Sequence, residues 1–98
     1  MLDIDDMSTR MQRYWRDLLV AADNGNVRRI PCGSAMHDRP SGQPQRVCGM
    51  VNAARGSGWL RLDVPASLYR LTDAGGEALA ALQERIDQVD CVTVSRRA

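Results

Sequence analysis

Between Gln43 and Gly56 the chain reads QPQRVCGMVNAARG, and its polar residues are of kinds that pair with base edges. A guanidinium offers the two donors that match O6 and N7 of guanine. A carboxamide offers the donor and acceptor that match N6 and N7 of adenine. Arg46 and Arg55 supply the first group, Gln45 and Asn52 the second. At helical spacing Gln45, Arg46, Gly49, Asn52 and Ala53 share one face, with Arg55 at its edge. Val47, Met50, Val51 and Ala54 share the other. Small residues at 49 and 53 would let such a helix lie deep in a major groove. The same residues would also serve as the solvated side of an ordinary surface helix. The spacing predicts a helix over 44–55, with Ser41 or Gln43 as its cap, Pro44 in its first turn and Gly56-Ser57-Gly58 as its stop.

Other chemistry finds little support. Cys32, His37 and Cys48 are metal-ligating types, but C-x4-H-x10-C fits no standard zinc spacing, and a fourth ligand would have to be Cys91 or a carboxylate. No metal and no cofactor is expected. Cys48 as a redox sensor would need a depressed thiol pKa. His37 is the single histidine, and no Ser or Cys has a base and an orienting group at useful spacing, so no enzyme is expected.

The elements that must position these residues come from one small domain. The chain has 98 residues, 44% of them hydrophobic and 26% charged, an ordinary soluble composition with room for one modest core. No apolar run is long enough to span a membrane. The opening MLDIDDM is acidic where a signal peptide would be basic, so a cytoplasmic location is expected. Three cysteines make no disulfide framework and are read as reduced thiols. Every basic side chain is arginine. The net charge of +1 conceals a division. Residues 1–24 hold three Arg against five Asp, and 71–98 hold three Arg against five acids. Residues 25–70 hold seven Arg against Asp38 and Asp63. A basic centre between acidic ends suits a polyanion partner.

Met7, Met11, Tyr14, Trp15, Leu18, Leu19 and Ala22 give 7–23 a helical period, with Asp5 or Asp6 as cap and Asn24-Gly25 as stop. Residues 26–32 read as a short strand or link. In 33–44, Ser34 to Arg39 could form a helical turn ended by Pro40. Trp59 to Val64 alternates with period two, Pro65-Ala66-Ser67 turns, and Leu68 to Leu71 returns as a hairpin. Thr72 or Asp73 caps a last helix whose apolar stripe is Ala74, Ala78, Leu79, Leu82, Ile86 and Val89. The domain is expected over 1–90, with 91–98 as a tail in which CVTV is an edge strand or disordered.

The run from Gly58-Trp59-Leu60 through the hairpin to Tyr69-Arg70-Leu71-Thr72-Asp73-Ala74-Gly75 resembles the winged helix-turn-helix domains of MarR- and PadR-like bacterial or phage regulators. The likeness covers 44–82 and, more loosely, the first helix. Gly76 departs from it, because a long polar residue is usual there, and so does 26–43, where the family has a second helix. The resemblance implies an α+β, mainly α fold with a short β-hairpin wing. Helix 44–55 would enter DNA, and the expected contacts are Gln45, Arg46, Asn52, Arg55, Arg61 and Arg70. The expected function is a small DNA-binding transcriptional regulator. Its partners would be double-stranded DNA and a second copy docked through the terminal helices. The alternative is a phage or mobile-element protein that inhibits a host nucleoprotein complex, such as CRISPR machinery, through protein contacts. Its acidic ends would then meet a basic host surface.

Overall fold

The structure is a computed structural model that describes residues 2–39 and 42–97, with side chains described as far as Val89. The first helix, α1 (Thr9–Asp23), starts two residues later than its periodicity predicts. Met7 is extended, so the helix cannot pass through it. The Ser8 side chain therefore caps α1 by accepting from Met11 N at 3.2 Å, and the expected Asp5 and Asp6 lie in a preceding 3-10 turn. At the far end Gly25 takes the left-handed φ of +76° that its position requires.

From there the chain forms strands. These are β1 (Val27–Arg29), β2 (Ala35–His37) and β3 (Gln45–Arg46), then after α2 (Cys48–Gly56) the hairpin β4 (Leu60–Asp63) and β5 (Leu68–Leu71). All five join one antiparallel sheet in the order β3-β2-β1-β5-β4. Two expectations are corrected here. Ser34 to Arg39 makes no helical turn, because 35–37 pair with β1. The helix expected over 44–55 begins at Cys48. Gln45 and Arg46 bond to β2, and Val47 N still donates to Ala35 O at 2.9 Å, so the chain stays in the sheet through Val47. That leaves α2 with no side-chain cap. Pro40 and Ser41, the expected stop and cap, lie outside the described residues.

The last helix, α3, spans Asp73–Arg97, so 91–97 continue the helix instead of forming a tail. The fold is α+β, with about half of the chain in three α-helices and a sheet larger than the hairpin alone. The helices cover one side of the sheet. Trp15, Leu18 and Leu19 of α1, Val51 and Ala54 of α2, and Ala78 and Leu82 of α3 form one buried cluster with Val27, Ala35, Leu60 and Tyr69 of the sheet. Trp15 and Trp59 meet edge to face, with ring centroids 5.6 Å apart. Burying each large side chain here contributes about 1.5–3 kcal/mol.

The junction of hairpin and α3 is tightly bonded. Thr72 N donates to Trp59 O at 3.0 Å, and the Thr72 hydroxyl donates to Gly58 O. The same hydroxyl oxygen accepts from Gly75 N at 3.0 Å, so Thr72 ends the strand and caps the helix, as its position predicts. A Cβ on Gly75 would stand 2.1 Å from Trp59 O. Glycine is needed at 75 for space, because the helix touches the β4 end of the hairpin.

Candidate nucleic-acid interface

Antiparallel partners directly opposite one another point to the same face, so the register assigns each side chain to a side of the sheet. Val27 and Tyr69 are buried toward the helices. Arg28 lies opposite Leu68 on one side and Met36 on the other, and Met36 lies opposite Arg46. In the hairpin Arg61 lies opposite Arg70, and Asp63 opposite Leu68. None of these seven belongs to the core cluster. They form the outer face, with Asp63, Leu68, Arg28, Met36 and Arg46 in one row and Arg61 and Arg70 in the next. Gln45, opposite His37, points to the helix side.

The expected contact residues thus divide between two surfaces. Arg46, Arg61 and Arg70 are on the outer sheet face, while Asn52 and Arg55 are exposed on α2, on the helix side. Gln45 and Arg46 do not share a helical face with Asn52, because neighbouring residues of a strand point to opposite sides. Arg28 joins the outer row from a segment whose sequence reads only as a strand or link, and no local signal puts it beside Arg46.

Two of the outer arginines are held by carboxylates. Arg28 Nε donates to Asp38 Oδ2 at 2.8 Å, and Arg70 Nε donates to Asp63 Oδ2 at 2.7 Å. Both pairs are half-exposed. The Arg70 hydrogen bond holds the Asp63 carboxyl below the usual carboxylate range. Among the described residues Arg46 and Arg61 are in no ion pair.

The exposed side of α2 is bare. Gly49 and Gly56 bracket Asn52, and a Cβ at either would meet nothing within 4 Å. The Arg55 guanidinium lies over the Tyr69 ring, 5.9 Å from its centroid, which steadies it at the rim. The acids collect elsewhere. Asp73, Glu77, Glu84 and Asp87 are exposed on one stripe of α3, and none of them is in an ion pair among the described residues.

The cysteines and the histidine have separate tasks. Cys48 Sγ accepts from Ala35 N at 3.3 Å and ties α2 to β2. Cys32 is exposed in the β1–β2 turn. Its contact with the Ser34 hydroxyl and a hydrogen bond from the Ser34 backbone hold the thiol below its usual value, with a smaller pull from Arg46. Burial holds His37 below the ordinary histidine value, and Arg39 adds to the effect. Among the described residues no three His, Cys, Asp or Glu gather as a metal site, and no helix is long and apolar enough to cross a membrane. In comparisons with protein-family models, curated proteins and solved structures, nothing matches this chain.

Proposed function

We propose that the protein binds double-stranded DNA as a small winged-helix regulator, with α2 entering the major groove. The observation that carries this is the bare face of α2. Gly49 in the first turn of α2 and Gly56 at its end leave the backbone on that face open, for a Cβ at either would meet nothing within 4 Å. Such a face lets another molecule approach the helix backbone closely. Asn52 at its centre and Arg55 at its rim are the base-reading side chains, while Arg61 and Arg70, expected beside them, lie on the far face of the sheet. Arg46, expected on the helix, lies on β3 and faces the same far side as Arg61 and Arg70. The order α2, β4, β5, α3 and the close approach at Gly75 support the winged-helix reading; the strands β2 and β3, where a second helix was implied, depart from it. A homodimer through the terminal helices belongs to the proposal. Its surface would be Met11 and Tyr14 of α1 and Val89 of α3, which are exposed, because the Trp15–Leu19 stripe is buried within one chain.

The test is duplex binding measured by fluorescence anisotropy, on a selected site and on random DNA. Asn52→Ala should cost about 1–3 kcal/mol on the selected site and little on random sequence. Arg61→Ala, on the far face of the sheet, should leave the preference for the selected site unchanged. A wild-type protein that binds no duplex at low salt refutes the proposal.

The acidic stripe on α3 favours a second reading, an inhibitor of a host nucleoprotein complex. Its four exposed carboxylates would meet a basic protein surface. Capture of such a complex, lost on reversing Glu77 and Glu84 and kept in Asn52→Ala, would select this reading over DNA binding.

A further inference from the structure

We infer that the outer face of the sheet is a second duplex-binding surface, which grips the phosphates of another DNA segment so that one chain joins two duplexes. This rests on α2 being the first duplex site. The outer face is turned away from α2, whose buried Val51 and Ala54 pack into the cluster on the helix side. Its four arginines come from four strands. Neighbouring strands are about 4.8 Å apart, so from Arg46 on the β3 edge to Arg61 on the β4 edge the face is about 19 Å wide. That width exceeds either groove, about 12 and 6 Å, so the face can touch phosphates on both sides of one.

The chemistry of the face selects the occupant. A platform for unpaired bases needs aromatic rings. Here Trp59 and Tyr69 are buried on the helix side, and the outer face offers only Leu68 and Met36 between its arginines. It is built for backbone, not for bases. In both carboxylate pairs the hydrogen bond uses Arg Nε. Each carboxylate fixes its guanidinium and leaves the terminal nitrogens to donate outward, which suits a phosphate oxygen. Four arginines against Asp38 and Asp63 leave the face net positive, with the unpaired charges at its two edges. Edge arginines also deter pairing between sheets. That accounts for Arg46 and Arg61, but not for Arg28 and Arg70 on inner strands.

The experiment uses the full chain and two short duplexes, one fixed to beads and one free and labelled. Wild-type protein should retain the free duplex on the beads. Arg28→Gln/Arg46→Gln should reduce that retention about tenfold, while single-duplex binding through α2 persists with its sequence preference and salt slope unchanged. Circular dichroism checks that the variant is folded. Asn52→Ala/Arg55→Ala should also abolish retention, yet leave salt-labile, sequence-independent binding through the sheet. Retention unchanged in the Arg28/Arg46 variant, as a simple dimer would give, overturns the inference, and so does a wild type that never joins two duplexes. If the Asn52/Arg55 variant behaves as wild type while the Arg28/Arg46 variant loses duplex binding, the α2 reading fails and the sheet remains as the one site. Binding of single strands in preference to duplex overturns the assigned occupant.

Discussion

Replacing Gly75 by alanine adds one methyl group where the fold has no room for it. The new Cβ would lie 2.1 Å from Trp59 O, 2.9 Å from Trp59 C and 2.8 Å from Leu71 Cδ1. The leucine can rotate, but the carbonyl is backbone. An ordinary contact begins at 3.4 Å, so helix and hairpin must part by about 1.3 Å, the difference from 2.1 Å. The Thr72 N to Trp59 O bond, now 3.0 Å, cannot survive that separation. Overpacking costs about 1–3 kcal/mol, and an orphaned carbonyl about 1–3 kcal/mol. Better helix propensity returns about 1 kcal/mol. The net loss should be about 1–5 kcal/mol, a large share of the 5–15 kcal/mol typical of a domain. Gly76→Ala is the control. Its Cβ meets open space, so the same propensity term should stabilise by about 0.5–1 kcal/mol. Urea unfolding followed by circular dichroism measures both. Two neighbouring glycines should give opposite signs; a Gly75→Ala protein as stable as wild type would refute the close approach of helix and hairpin.

The core and turn make further predictions. Leu82, fully buried between α3 and the core, should cost about 2–5 kcal/mol as Leu82→Ala, whereas Val64→Ala at the exposed hairpin tip should stay within about 0.5 kcal/mol, both read from urea midpoints. Ser67 holds a left-handed φ of 54°, so Ser67→Gly should raise the melting temperature, and a lower one would contradict that strain. His37 has a folded pKa below its unfolded value, so the folded state favours the neutral ring. Stability is full above the unfolded pKa and falls as pH drops through the window below it. From about pH 7 to about pH 5 the wild type should weaken, and His37→Gln should flatten that part of the profile.

Local features were legible in the residues alone. The alternation of Leu60, Leu62 and Tyr69 and the turn between them mark the hairpin, and Leu71-Thr72-Asp73-Ala74-Gly75 marks its junction with a capped helix. The period from Trp15 to Ala22 marks the helix whose face is buried. These signals lie within a few residues of one another, where turn chemistry and side-chain period act without help from the rest of the chain. The stretch from Val27 to Val47 carried no such signal. Its strands are two or three residues long, too short to show alternation, and Pro44-Gln45-Arg46 looks like the start of a helix until Met36 and His37 bond to it. Which arginines share a surface was likewise beyond the sequence. A strand turns successive side chains to opposite faces, so register alone sends Arg46 outward and Gln45 inward. Arg28 shares a row with Arg46 only because β2 pairs with both of their strands. The arginines were visible in the chain; the plane on which they gather was decided by strand pairing across the fold.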